Sequence, residues 1–336
     1  MDTLIRTGVL TNYLKVAQQL GFKPQPLLRK LGLNSEMFAD PECRIPASAA
    51  VTLLKVSAQM TQCPTFGLRM ADLWQLSDLG VVSVLLTHQR TLREAVGTLI
   101  RFRHLLNEFL VIRMEDVGKK VIVREEFVAD ETGTSIQHTE LVLGSLSRMC
   151  STLMGAAWHP LSVHFTHDAP PDLRLHRRVF VGKLEFASSF NGMICRAADM
   201  DFPNPIADPV MARHAQRLLE GLPGASEPSI VLEVRKAIYL LLPVGRATIE
   251  QVAHGLGMNV RTLQRQLESA GSVFSEMVNG VRRDLVMHYM DNKSYTLGRI
   301  AESLGYSAYG SFVRWFEAQF GMTPTRWRSG KPANSR

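Results

Sequence analysis

The 336-residue sequence predicts two domains of different class: an α+β domain over residues 1–220, and an all-α domain with two helix-turn-helix units over residues 230–336. Three observations carry this reading. A stretch is written twice near the C-terminus, as TIEQVAHGLGMNVRTLQRQL at 248–267 and as TLGRIAESLGYSAYGSFVRWF at 296–316. Between residues 109 and 127 the apolar pattern leaves helical spacing and becomes β-branched and alternating. Finally, GLPGASEPS at 221–229 has the small, Pro-containing composition of a linker.

Taken in order, apolar residues at helical spacing predict an amphipathic helix over residues 4–20, ended by Gly21, and a short helix over 26–33 closed by Gly32. DPECRIPASAA at 40–50 reads as a turn leading into a helix that runs to about Met60, and 66–74 reads as another helical piece. An apolar run covers 79–86, and Thr91 is placed to cap a helix over 92–106. FLVIRME (109–115) and KKVIVREEF (119–127) predict a β-hairpin around Asp116-Val117-Gly118. Residues 139–157 return to helix. LSVHFTH (161–167) alternates as a strand does, and KLEFAS (183–188) and GMICRA (192–197) predict two shorter strands around a turn at Asn191-Gly192. Residues 211–221 form a helix ended by glycine.

Beyond the linker, Ser229 is placed to cap a helix over 230–242, and 274–290 forms a long amphipathic helix between the two copies of the repeat. At an offset of 48, Thr248, Ala253, Leu256 and Gly257 match Thr296, Ala301, Leu304 and Gly305. One residue is then added, so that Arg265 matches Arg314 and Leu267 faces Phe316 at an offset of 49. In copy one, Thr248 caps the first helix, with Gln251 completing a capping box. Small Ala253 and Ala301 admit a second helix. Gly257 and Gly305 stop the first helix of each copy, and Asn259 and Ser307 are placed to cap the second. Leu263 and Leu267, like Phe312 and Phe316, lie four apart on one helix face and predict core.

The opposite faces carry Arg261, Gln264 and Arg265 in copy one, and Tyr309, Ser311 and Arg314 in copy two. Arg pairs bidentately with guanine, Gln pairs with adenine, and Arg also neutralises phosphate. One such face alone is an ordinary solvated helix surface, but its repetition together with the fold points to nucleic acid. The long helix between the copies then acts as a spacer for two helices about one DNA turn, ~34 Å, apart. Arg282 and Arg283 on it suit phosphate contact or solvated ion pairing equally.

The C-terminal part resembles the DNA-binding domain of the AraC-type (arabinose-regulator) transcription factors. The likeness covers both units, the joining helix and the closing FEAQFGMTPTRWR at 316–328, which is similar to that family's F-G-x-x-P-x-x-[YW]-R ending. It implies that both recognition helices enter successive major grooves of promoter DNA. Arg261, Gln264 and Arg265 match the base- and phosphate-contacting positions of the first helix, and Tyr309, Ser311 and Arg314 those of the second. Gly310 departs from a good reader, which implies that the second unit positions more than it reads. Tracts at 66–72, 158–170 and 180–194 resemble, more loosely, the regulatory domain of ornithine- and arginine-utilisation regulators. That likeness implies a regulatory domain for a small-molecule effector or for homodimerisation, and a chain that engages RNA polymerase, more often as activator than repressor.

Composition agrees with this and excludes other classes. The net charge is +7 and the pI near 9.4. Residues 246–336 hold 12 Lys+Arg against 7 Asp+Glu, an excess of five, while the preceding 245 hold the remaining 26 and 24, an excess of two. No apolar run reaches the ~20 residues of a membrane span, and no secretory signal opens the chain, so the expected location is cytoplasmic with no membrane partner. Cys43, Cys63, Cys150 and Cys195 are far apart and suit buried free thiols. His159, His164 and His167 with Asp168 form the densest polar cluster. His164 and His167 fall on opposite strand faces, so structural histidines are expected there and no metal site. No G-x-S-x-G, P-loop or dinucleotide-binding fingerprint is present, so neither an enzyme nor a cofactor is expected. Arg101, Arg103 and His104 end a helix, where they suit an effector carboxylate or simply the helix macrodipole. One alternative stays open: a protein-interaction adaptor that keeps the fold without productive DNA binding, to which Gly310 and the modest net charge point.

Overall fold

The computed structural model describes residues 4–127, 136–155, 158–221, 230–243, 245, 247–256, 258–291 and 295–329. They form two compact units, one from the described residues up to 221 and one from 230 onward. The linker residues 222–229, Ser229 and Gly257 lie outside the described residues.

The first unit begins with β1 (Leu4–Arg6), α1 (Tyr13–Gln19), α2 (Gln25–Lys30), β2 (Arg44–Pro46), α3 (Ala47–Met60), α4 (Phe66–Asp72), α5 (Val81–Thr87) and α6 (Leu92–Phe102). It continues with β3 (Leu110–Val117), β4 (Lys120–Phe127), α7 (Ile136–Met154), β5 (Ser162–His164), α8 (Arg174–Val179), β6 (Lys183–Glu185), β7 (Asn191–Arg196), α9 (Ala197–Met200) and α10 (Pro209–Glu220). β1 and β2 pair antiparallel, and the other strands form one sheet in the order β3-β4-β7-β5-β6.

The start of the chain is not one helix. Leu4–Arg6 is a strand whose Ile5 lies opposite Ile45, and a 3-10 turn over Thr7–Leu10 precedes α1. Arg6 explains the difference. Its side chain is 5% exposed; it donates through Nε to Glu42 at 2.9 Å and through Nη1 to the Asp78 carbonyl at 2.8 Å. A helix beginning at residue 4 would carry that guanidinium away from both partners.

The hairpin β3–β4 forms, with Leu110 opposite Phe127 and a tight turn at Gly118-Lys119. The Asn191-Gly192 turn does not. Both residues lie inside β7, which pairs with β4 and β5, while β6 runs parallel to β5 on the far edge. The glycine answers to a close approach rather than a turn: a Cβ on Gly192 would stand 2.4 Å from the Val123 carbonyl oxygen. β5 also ends at His164, so His167 lies beyond the strand and does not share its alternation. His164 bonds Ser162 Oγ at 2.9 Å and Ser188 Oγ at 3.1 Å, and it stacks on Phe190. His167 Nδ1 donates to the Asp168 carbonyl at 2.9 Å.

α7 is the central helix of this unit. It packs on α3, α4, α8 and β7. At its crossing with α4 the backbones nearly touch, since a Cβ on Gly67 would lie 1.9 Å from the Gln137 carbonyl oxygen and one on Gly144 would lie 2.5 Å from Ala71 Cβ. Gln137 spans the same crossing, accepting from the Gly67 N–H at 2.8 Å and donating to the Pro64 carbonyl at 2.7 Å. Between α8 and α7, His176 Nε2 donates to Glu140 Oε1 at 2.8 Å, with both side chains buried. Cys63, Cys150 and Cys195 are buried free thiols, and burial pushes Cys195 up to about 12.

The second unit is all-helical: α11 (Ile230–Leu241), α12 (Ile249–Gly255), α13 (Val260–Ser269), α14 (Phe274–Asp291), α15 (Leu297–Ser303), α16 (Tyr309–Phe320) and α17 (Pro324–Arg328). Val234, Ile238, Leu263, Leu267, Val281, Leu285, Ile300, Phe312 and Phe316 belong to a single apolar cluster running through six of these helices.

One buried acid makes the first unit sensitive to pH. Glu125 on β4 is fully enclosed, and burial raises its carboxyl well above the ordinary 4.5, an effect that the neighbouring Thr139 only partly opposes. The folded chain therefore holds this proton more tightly than the unfolded chain does. Stability is fully present below the unfolded value and is lost as pH rises toward the folded one. Glu125→Gln removes the loss. In urea melts compared pH by pH, the variant should gain on the wild type with a slope that rises to about 1.4 kcal/mol per pH unit once the pH is about one unit above 4.5 and the folded acid still holds its proton. A pH-independent difference would show that Glu125 does not titrate differently on folding.

Candidate nucleic-acid interface

The two helix-turn-helix units are built by the same local bonds. Thr248 Oγ1 accepts from the Gln251 N–H at 3.3 Å, and Thr296 Oγ1 accepts from the Arg299 N–H at 3.2 Å. Each first helix closes on an alanine carbonyl five residues back: Met258 N–H donates to Ala253 at 2.8 Å and Tyr306 N–H to Ala301 at 3.0 Å. Both alanines are buried. This is the six-to-one closure of a helix end, which needs a left-handed residue between. Gly305 supplies it in the second unit with φ +75°.

The copies then part. Asn259 Oδ1 accepts from the Thr262 N–H at 2.8 Å and caps α13. In the second unit the residue at the cap position is Ala308, which has no acceptor, and Ser307 lies one residue earlier and is exposed. The residue added between the copies falls in this turn and displaces serine from the cap.

Leu263, Leu267, Phe312 and Phe316 are buried, each at 2% exposure or less. That fixes which faces remain outside. Arg261, Gln264 and Arg265 are all exposed on α13. On α16, Tyr309 and Arg314 are exposed and Ser311 is half-buried, with Arg314 Nη2 donating to Ser311 Oγ at 3.2 Å. Gly310 is exposed, and a Cβ there would meet nothing within 4 Å.

Arg282, which suits phosphate by sequence, is engaged within the unit. Its Nε donates to the Leu304 carbonyl at 3.1 Å, and its guanidinium lies 4.3 Å from the centre of the Tyr306 ring. It ties α14 to the turn of the second unit. Burial pushes the Tyr306 hydroxyl up to about 12 against the pull of that cation. Arg283 is exposed. Arg299, an exposed cation on the first turn of α15, has no counterpart in the repeat because copy one holds Gln251 there.

The closing segment is architectural. Thr323 caps α17, Pro324 is buried, and Trp327 packs on Phe316 and Phe320 with ring centres 5.9 and 5.4 Å away. Arg328 Nη1 donates to the Tyr295 carbonyl at 2.7 Å. α14 is tied to α11 by the Arg235–Asp284 pair at 2.7 Å.

The arabinose-binding N-terminal domain of AraC transcription regulators matches residues 21–204, and a helix-turn-helix domain matches residues 252–330. The chain belongs to the AraC family of transcription regulators. It is similar to the HTH-type transcriptional regulator VirS of Mycobacterium tuberculosis, 27% identical over 331 residues that span 98% of this chain and 97% of that protein. The ornithine utilization regulator of Pseudomonas aeruginosa is 22% identical over 324 residues, spanning 94% and 93%. Among solved structures, the transcriptional regulator CdpR from Pseudomonas aeruginosa covers 96% of this chain and 97% of its own, with 19% identity and a TM-score of 0.48. This AraC-family chain is thus a transcriptional regulator with a helix-turn-helix DNA-binding domain. Among the described residues, no helix is long and apolar enough to cross a membrane, and no group of three or more His, Cys, Asp or Glu residues is placed to hold a metal ion.

The two glycines of the second unit should respond oppositely to the same change. Gly305→Ala forces a side chain into the left-handed region and to 3.1 Å from the Leu242 carbonyl oxygen. It should destabilise the second unit by about 1–2 kcal/mol. Gly310→Ala adds an unopposed methyl to a helix and should stabilise by about 0.5–1 kcal/mol. Urea melts of both variants read the signs, and a stabilising Gly305→Ala would contradict the turn described.

Proposed function

We propose that this AraC-family regulator binds specific promoter DNA through α13 and α16, placed in successive major grooves. The observation that carries the reading is the repeated pairing of an anchored apolar face with an outward polar one. Arg261, Gln264 and Arg265 read bases and phosphate from the first unit. Tyr309, Ser311 and Arg314 contribute chiefly positioning from the second, since Gly310 offers no side chain. α14, with 18 residues, is about 27 Å long, which supports a separation of the order of one DNA turn. In this reading residues 230–336 are the DNA-binding domain, 1–220 the regulatory domain and 221–229 the link between them. The regulatory domain responds to a small-molecule effector and pairs two copies into a homodimer, and the bound chain engages RNA polymerase in the cytoplasm. The names of the relatives, one of them a regulator of ornithine utilization, support a role in transcription.

The test is operator binding by fluorescence anisotropy, on promoter fragments selected by immunoprecipitation of the tagged chain. Arg265→Ala should weaken binding by about 1–3 kcal/mol and lower the slope of log affinity against log salt by about one. Unchanged affinity in that variant would refute the docking. Salt-independent association, or the absence of any enriched DNA, would favour the adaptor instead.

A further inference from the structure

The first unit contains two anomalies in one place. The first is a cavity of about 80 Å³ between α7, the end of α6, β1 and β3. Its wall is almost wholly apolar, with Ile5, Trp74, Leu99, Ile112, Leu146 and Met149 among the lining residues. Well-packed interiors leave few voids of this size. Water is held poorly in such a space, because it needs two to four polar partners.

The second anomaly is His138, on the same wall. It is 1% exposed, and its Nδ1 makes no hydrogen bond. Two aromatic rings stand edge-on to it, Phe109 and Phe127, with ring centres 6.3 and 5.5 Å away. Buried polar atoms are rarely left unpaired, since the desolvation cost is not recovered. A void and an orphan nitrogen at one wall are each explained by the same missing group.

We propose that this cavity is a binding site for a small, neutral, largely apolar molecule that carries one hydroxyl, with the hydroxyl on His138. This deepens the effector-responsive reading given above and rests on it. The chemistry follows from the wall. Burial holds His138 down at about 4, so the imidazole is uncharged at neutral pH. A neutral imidazole has one N–H and one lone pair, and a hydroxyl satisfies either tautomer at Nδ1. Arg103 also lines the cavity, and its Nη1 donates to the Ile100 carbonyl at 2.6 Å. The partner of Nδ1 itself is a neutral group, because a carboxylate seated against an uncharged imidazole flanked by the Phe109 and Phe127 rings would be desolvated, which is costly. Size sets the rest. An engineered apolar cavity of roughly 150 Å³ accepts benzene, so about half that volume suits a chain of three or four carbons. Half-buried Val9, Val142 and Ser145 are the lining residues that reach toward solvent, and they mark the way in.

The groove near Arg69, Arg174 and Arg178 is larger, about 610 Å³. It is open, however, and two of its three arginines are already paired, Arg174 with Asp172 and Arg178 with Asp72.

The experiment uses the full chain labelled with ¹³C-methyl methionine, with the Met149 resonance assigned by Met149→Leu. 1-Butanol is the probe. It should move the Met149 methyl saturably, with a dissociation constant on the order of 1 mM for so small a ligand. His138→Phe keeps the ring and removes the bond, and should weaken binding about tenfold. Val142→Phe fills the cavity and should abolish the shift while the chain still melts cooperatively. Butanoate at neutral pH should not bind. The proposal is overturned by the absence of a saturable shift in the wild type, by an equal shift in Val142→Phe, or by butanoate binding as well as butanol. The last two comparisons hold even where His138→Phe does not fold. Operator binding is measured in parallel without alcohol. A chain that binds its operator but not butanol loses only the cavity proposal, and one that binds butanol but no DNA keeps the cavity and loses the regulator reading.

Discussion

The helix-turn-helix unit depends on one constraint: a helix can present a polar face at a fixed angle only if its opposite face is anchored. Ten to twelve residues of α13 or α16 are too short to hold as free helices. Their geometry is set by what they bury. Leu263 and Leu267 enter the same apolar cluster as Phe312 and Phe316, and α14 and α11 contribute Val281, Leu285, Val234 and Ile238 to it. The two units are therefore not beads on a string but two edges of one core. The second edge is reinforced by aromatic rings, with Trp315, Phe316, Phe320 and Trp327 in mutual contact, whereas the first relies on aliphatic side chains. Arg282 adds a polar tie across the same joint.

The second unit was readable from sequence because its signals are local and repeated. Threonine caps, glycine stops and paired apolar residues four apart each act over one or two turns, and each occurs twice. One misreading, Ser307 as a cap, came from carrying copy one onto copy two across an insertion. In the first unit most of the helices were legible for the same local reasons, and so was the hairpin β3–β4, but the short α8 and α9 were not read. The failures were short or non-local elements. β1 and β2 are three residues each, too short for any periodicity to register. Gly192 looks like a turn because Asn-Gly usually is one, yet it serves a close crossing with β4 that no local pattern encodes. The parallel pairing of β5 with β6 likewise joins segments about twenty residues apart.

The features of the first unit that carry chemistry are the ones least visible in sequence. Glu125 sits in a strand whose alternation would place it on the buried face, so the pattern itself contained the clue, but a charged residue there reads as an interruption rather than as a buried acid. His138 lies just beyond the residues where the hairpin ends and is indistinguishable in sequence from a surface histidine. Only the packing shows that both face inward.

The first turn of α7 shows why such residues are tolerated. Gln137, His138, Thr139 and Glu140 are consecutive, and all four are buried. Successive helical side chains point about 100° apart, so the helix is enclosed on every side there. Each polar group meets a different neighbour: Gln137 meets α4, His138 the cavity and the Phe109–Phe127 pair, Thr139 the acid of β4, and Glu140 the imidazole of α8. An enclosed helix lined only with apolar side chains can turn by one residue at modest cost. Here a one-residue turn breaks every one of these pairings at once and leaves buried polar groups unpaired, a penalty of several kcal/mol. The polar turn thus sets the rotation of α7, and through Gly67 and Gly144 it sets how closely α4 can approach. Two atoms of that turn make no hydrogen bond, His138 Nδ1 and Glu140 Oε2. An occupant of the cavity that satisfies His138 would add one more pairing to the turn, and so would favour the same rotation of α7 that the other three residues set.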